Sequence, residues 1–87
     1  MAQAEFELFL VAYDLRSGED YEELISALRK MGGERIQESV WYLAGRFTCT
    51  KLKNILKTNM QSDDRLMVVR FDDWSGWNNL TKIAQPA

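Results

Sequence analysis

The sequence predicts a single α+β domain whose elements follow one another in the order β-α-β-β-α-β. Three observations support this. Apolar runs typical of strands lie near both ends of the chain, and two segments between them repeat apolar residues with helical spacing. A third strand-like stretch, between the helical segments, is too long for one strand. The 87 residues, 46% hydrophobic and 28% charged, have the composition of one globular domain.

The first strand and the first helix are predicted from the N-terminal third of the chain. Phe6–Asp14 (FELFLVAYD) is rich in the aromatic and apolar residues that favour strands. Asp20 and Glu23 have the spacing of a capping box, which predicts the start of a helix. Gly32 and Gly33 can adopt the left-handed backbone that ends helices, so we place the helix end there. Between these limits the apolar residues recur with helical spacing, at Tyr21, Leu24, Ile25, Leu28 and Met31.

The middle of the chain predicts two strands and a second helix. Residues 34–47 (ERIQESVWYLAGRF) exceed the length of an ordinary strand, so we break them near Glu38-Ser39. Thr48 or Thr50 is the predicted N-cap of the following helix. One face of this helix carries Leu52, Ile55, Leu56 and Met60.

The final strand completes a ferredoxin-like pattern. Arg65–Phe71 (RLMVVRF) reads as this strand, and a polar, tryptophan-containing segment follows it. The resulting order is the split βαβ arrangement of ferredoxin-like domains, in which both helices cover one face of an antiparallel sheet. We therefore predict a ferredoxin-like domain over residues 1–71 and a C-terminal tail over residues 72–87.

The predicted strands are apolar on both faces, which points to a homodimer. In the first strand Leu8 and Leu10 alternate with Phe9 and Val11, and the later strands repeat this pattern. Two helices cannot cover both faces, and self-association would bury the open one. The alternative is that the tail folds back as a lid, but the tail is short and polar. We predict that the tail packs on the partner, with interface residues Tyr13, Trp41, Trp74 and Trp77.

Composition excludes several kinds of chemistry. The chain has no histidine, so catalytic schemes that use a histidine acid or base are excluded. With a single cysteine, Cys49, it also lacks the ligands of an ordinary zinc site, and we expect no organic cofactor. Oxygen ligands would favour Mg²⁺ or Mn²⁺. The formal charge of −2 argues against general capture of nucleic acid, although a local basic face remains compatible with it.

The same residues predict a cytoplasmic protein. A lone cysteine suits a reducing compartment. Glu5 and Glu7 interrupt the first apolar stretch, which is unlike a signal peptide. No apolar run approaches the roughly 20 residues that span a bilayer, so we expect no membrane partner.

Several short motifs, in order, carry a family resemblance. A strand ends in Tyr13-Asp14-Leu15, RIQESVW follows at Arg35–Trp41, and the tail contains DWSGW at Asp73–Trp77. In this order the chain resembles the small CRISPR-associated dimeric ferredoxin-fold proteins of the "Cas-two" type, and especially their stand-alone relatives. Virulence-associated toxin-like proteins share that fold. The resemblance covers nearly the whole chain.

The resemblance implies a role for Asp14. In such proteins the matching aspartates of two protomers approach the dimer axis and together hold a divalent metal. Two carboxylates brought together repel each other, and a bound cation relieves that repulsion. The resemblance therefore makes Asp14 the candidate metal ligand and catalytic residue of a phosphodiesterase. The alternative is that Asp14 only caps the turn after its strand.

Four basic residues are candidates for contact with nucleic acid. Lys51, Lys53 and Lys57 belong to the second predicted helix, and Arg46 precedes it. Such residues can bind backbone phosphates without reading sequence. The alternative is an ordinary solvated helix face.

Two functions remain open. The first is a metal-dependent endonuclease of nucleic-acid metabolism or of phage or CRISPR-type defence, acting on RNA or DNA. The second is a non-catalytic dimeric interaction module, such as a scaffold in a larger protein assembly, an inhibitor or a toxin–antitoxin-type partner. Catalysis requires Asp14 and a divalent ion, whereas a scaffold requires an intact dimer and an exposed recognition face.

Overall fold

The computed structural model describes residues 7–16 and 21–77, and within them the elements follow the predicted order. The four strands form one antiparallel sheet with the order β2-β3-β1-β4, so β1 is central. This confirms the α+β ferredoxin-like fold. The elements are β1 (Glu7–Asp14), α1 (Glu22–Lys30), β2 (Glu34–Gln37), β3 (Val40–Gly45), α2 (Cys49–Lys57) and β4 (Arg65–Phe71).

Local signals place most of the boundaries where the sequence predicts them. Thr48 is the N-cap of α2, and its Oγ1 accepts a hydrogen bond of 3.0 Å from the Lys51 backbone N–H. Gly32, with φ of +80°, ends α1 in the left-handed region. The break between β2 and β3 falls at Glu38-Ser39, as expected. In the described part of the chain, neither helix has the length and apolar character required to cross a membrane.

The start of α1 differs from the prediction. Tyr21 occupies the N-cap position and makes no side-chain capping hydrogen bond. Asp20, the predicted capping residue, lies outside the described residues, as does Phe6 at the predicted start of the first strand. The first turn of α1 does carry Glu22 and Glu23, whose negative charge complements the helix dipole.

The hydrophobic core lies between the sheet and the two helices. Leu24 and Leu28 of α1 and Leu52 and Leu56 of α2 have no solvent exposure. Each such leucine contributes about 1.5–3 kcal/mol relative to an exposed position. These leucines share one core cluster with alternate residues of β1 and β3, so both helices cover the same face. The sheet residues of this cluster are Phe9, Val11, Tyr13, Trp41 and Leu43.

Tyr13 and Trp41 belong to this core, on the face of the sheet that the helices cover. Trp41 is 1% exposed and Tyr13 is 7% exposed. The indole N–H of Trp41 donates a hydrogen bond of 3.0 Å to the Tyr13 hydroxyl. Gly33 lets the end of α1 approach them, since a Cβ there would lie 3.2 Å from Trp41 Cε3. Both aromatic side chains are therefore already covered within one protomer, and their contact with a partner stays a prediction.

Tyr42 lies on the opposite face of β3 and is buried there. It is 6% exposed, and among the described residues no group pairs with its hydroxyl. Its ring centroid lies 6.3 Å from that of Phe71. Burial raises the pKa of the Tyr42 phenol above 10.0, because desolvation disfavours the charged phenolate.

We expect Tyr42→Phe to leave the free energy of unfolding at pH 7.5 unchanged or up to about 2 kcal/mol higher, since it removes an unpaired buried hydroxyl. Native Tyr42 holds its proton more tightly than the unfolded chain does. The stability that the wild type owes to protonated Tyr42 is therefore complete below about pH 10 and declines above it. The unfolding free energy of Tyr42→Phe should then exceed that of the wild type by more at pH 10.5 than at pH 7.5. Urea denaturation at both pH values measures this. A loss above about 1 kcal/mol at pH 7.5 would mean that the hydroxyl has a partner.

Candidate functional site

The face of the sheet that the helices leave open is apolar across its three adjoining strands β3, β1 and β4. The strand registers place its residues side by side, with Leu10 between Tyr42 and Val69. Met67 is 57% exposed and Val69 is 38% exposed. We call this surface the open face; its residues are Leu8, Leu10, Ala12, Val40, Tyr42, Ala44, Met67, Val69 and Phe71.

The described part of the tail lies beside one side of the open face. Trp74 is partly buried, whereas Trp77 is 89% exposed. Both line a groove whose other walls include the open-face residues Leu10 and Tyr42 and the β2 residues Ile36 and Gln37. Residues 74–77 thus border this groove beside their own sheet in the protomer. Packing of the tail on a partner stays a prediction, and residues 78–87 lie outside the described residues.

Asp14 ends the central strand at one edge of the open face. Strand alternation places its side chain on the same face as Ala12, and its cross-strand neighbour on β4 is Arg65. The carboxylate is exposed, and its Oδ2 accepts a hydrogen bond of 3.0 Å from Arg16 Nη1. Asp14 therefore lies where the sequence predicts it, but it already has a cationic partner in its own chain.

Asp64 holds the backbone next to this site, a role that the sequence analysis missed. Its Oδ1 accepts hydrogen bonds from the Arg16 backbone N–H at 2.7 Å and from the Tyr21 hydroxyl at 2.8 Å. Its Oδ2 accepts from the Gln61 backbone N–H at 2.7 Å. Hydrogen bonds to a carboxylate are stronger than those between neutral groups. Asp64 thereby ties the segment after β1 to the turn before β4.

The described residues of one protomer do not supply a complete metal site. Within residues 7–16 and 21–77, no group of three or more acidic or cysteine side chains is placed to hold a metal ion. Asp14 contributes a single carboxylate, which Arg16 contacts. A carboxylate from each of two protomers, completed by water, is a donor set that suits Mg²⁺ or Mn²⁺. Among the described residues, a hard divalent ion would therefore be held if two copies each contributed an Asp14 carboxylate.

The four basic residues proposed for nucleic acid lie on α2 and in the segment just before it. Lys53 and Lys57 are four residues apart and share one side of α2. Lys51 lines a groove on α2 together with Thr48 and Ile55. All three lysines are exposed, as is Arg46 in the segment that joins β3 to α2.

A groove lined by basic residues lies beside α1, and the sequence did not predict it. Arg29, Lys30 and Arg35 line it, together with Tyr13 and Tyr21 at the core side. Arg35 is fixed there because its Nε and Nη2 donate to the Glu38 carbonyl oxygen at 3.0 and 2.8 Å. Its guanidinium also lies 5.6 Å from the centre of the Trp41 ring. In the sequence, Arg29 and Lys30 look like an ordinary helix end and Arg35 like part of a strand. Only the fold brings the three residues to one groove.

Comparison with protein families agrees with this architecture. The family model described as CRISPR associated protein Cas2 matches residues 7–78, which begin with β1 and extend past Trp77. The match includes every helix and strand described above, together with Asp14 and its neighbours. Because the matched region covers most of the 87 residues, the chain belongs to the CRISPR-associated Cas2 family.

Proposed function

We propose that this CRISPR-associated protein works as a homodimer in which two copies bury their open faces against each other. The observation that supports this most directly is the apolar surface of β1, β3 and β4. Met67 and Val69 present exposed apolar side chains there. A contiguous apolar surface of this kind is typical of an interaction site, and a two-fold interface uses the same surface on both copies.

We propose further that the paired Asp14 carboxylates form the centre of a metal-dependent phosphodiesterase. Asp14 lies on the open face at the end of the central strand, so a two-fold interface near that end brings two carboxylates together. A divalent ion bound there would stabilise charge on a phosphodiester and help ionise a water. The two Asp14 carboxylates would supply the negative charge that binds the ion and would hold the ion in place. The reducing cytosol is the compartment that suits the free Cys49.

The substrate in this proposal is RNA or DNA held by its backbone. Lys53 and Lys57 supply two neighbouring positive charges on α2, and Arg46 and Lys51 supply others at its N-terminal end. Contacts of this type bind phosphates without selecting bases. A formal charge of −2 restricts binding to such local surfaces, and added salt should weaken it.

One observation favours a second candidate, a non-catalytic dimeric module in a larger CRISPR assembly. The Asp14 carboxylate is engaged by Arg16 at 3.0 Å, and the described residues gather no three metal-ligating side chains. A scaffold needs neither a metal ion nor a free carboxylate. It needs the dimer and an exposed recognition surface, which the grooves beside α1 and the tail supply.

Val69→Glu should weaken the dimer at least about a hundredfold, because each interface would bury two unpaired charges. Sedimentation velocity over a range of protein concentrations measures this. Ile55→Glu is the matched control, because Ile55 is equally exposed, at 38%, but lies on α2 away from the open face. Dissociation of the Ile55 variant, with no effect from the Val69 variant, would place the interface elsewhere. A wild-type protein that is monomeric at tens of micromolar would refute the dimer.

Asp14→Asn should lower cleavage of labelled RNA or DNA at least about a hundredfold while leaving the dimer intact, because it removes both metal-binding charges. The assay compares Mg²⁺, Mn²⁺ and chelator with single- and double-stranded substrates. Asp72→Asn is the control, an exposed aspartate just after β4 at the end of the sheet far from Asp14. Absence of metal-dependent cleavage, or equal cleavage by the Asp14 variant, would leave the non-catalytic module as the function.

A further inference from the structure

Arg16 lies where it neutralises Asp14 within one protomer. Its Nη1 is 3.0 Å from Asp14 Oδ2, and both side chains are about half exposed. A carboxylate oxygen in contact with a guanidinium is not open to another cation at the same position. The chain therefore provides its own counter-ion for the carboxylate that the metal hypothesis makes a ligand.

The backbone of Arg16 is fixed, so this ion pair is pre-organised. Asp64 accepts the Arg16 backbone N–H at 2.7 Å, and the same carboxylate accepts the Tyr21 hydroxyl and the Gln61 backbone N–H. An exposed ion pair is weakened mainly by the entropy lost when two mobile side chains are held together. Fixing the backbone at Arg16 lowers that loss, because only its side-chain torsions remain to be ordered.

A second arginine adds positive charge at the same strand end. Arg65 is the residue directly opposite Asp14 in the pairing of β1 with β4. Directly opposed residues have Cβ atoms about 4.5–5.5 Å apart. Arg65 thus adds positive charge near the Asp14–Arg16 pair, and a divalent ion that approaches Asp14 meets the repulsion of both arginines.

We propose that Arg16 is the resident counter-ion of Asp14 and competes directly with a divalent ion for that carboxylate. The inference rests on the part of the proposed function that makes Asp14 a metal ligand, but it does not require catalysis. Arg16 then sets the metal affinity of the site. In the absence of metal, the Arg16 pairs also screen the two Asp14 carboxylates from each other in the dimer.

Binding of Mn²⁺ tests the competition without any activity assay. Free Mn²⁺ is measured by electron paramagnetic resonance during titration of wild-type protein and of Arg16→Gln, Asp14→Asn and Arg70→Gln, each with its fold verified by circular dichroism. Arg70→Gln is the matched control. It also removes one half-exposed arginine from surface ion pairs, with Glu7 and Asp72 at the other end of the sheet.

We expect Arg16→Gln to tighten Mn²⁺ binding about two- to fivefold, the range that corresponds to loss of one exposed ion pair. Arg70→Gln should match the wild type, and Asp14→Asn should abolish the site. Equal affinity of the Arg16 variant and the wild type would overturn the proposal, as would equal tightening by both arginine variants. Absence of Asp14-dependent Mn²⁺ binding in the Arg16 variant would overturn it too. Tightened binding without nucleic-acid cleavage would refute the phosphodiesterase and leave the competition established.

Discussion

A β-strand directs successive side chains to opposite faces of its sheet, and β1 carries apolar side chains on both faces. The two helices cover only one of them, where Phe9 and Val11 have no exposure. The opposite face keeps apolar residues that the described part of the protomer covers only in part. Asp14 lies at the edge of this partly uncovered apolar face. The proposed dimer and the proposed metal site both depend on that face being available to a partner.

The sequence predicts the architecture well because its signals are local. The bounds of β4, the Thr48 cap and the Gly32 stop follow from residue types at single positions. The sequence does not reveal which face of the sheet the helices cover, because both sets of alternating residues are apolar. The sequence alone therefore does not show that Tyr13 and Trp41 lie on the face that the helices cover. The larger side chains Phe9, Trp41 and Leu43, against Ala12 and Ala44, are the signal that could have separated the faces.

The candidate site is less predictable because its contacts join distant segments. Asp64 looks like one of several polar turn residues, yet it accepts hydrogen bonds from Arg16 and Tyr21, more than forty positions away. The Asp14–Arg16 pair is close in sequence, but its geometry depends on this distant carboxylate. Asp14, Arg16 and Asp64 are therefore linked by hydrogen bonds. An inference from Asp14 alone overestimates its affinity for a metal ion, because it ignores Arg16.

The central position of β1 also has a consequence for synthesis of the chain. The ribosome makes β1 before either of its neighbours, and β4 pairs with it through contacts such as Leu8 with Phe71. Pairing between residues so far apart in sequence closes a long loop and is correspondingly slow. Until β4 emerges, one side of the most apolar strand has no hydrogen-bonding partner in the sheet. The nascent protein thus depends on its last strand to protect its first from aggregation.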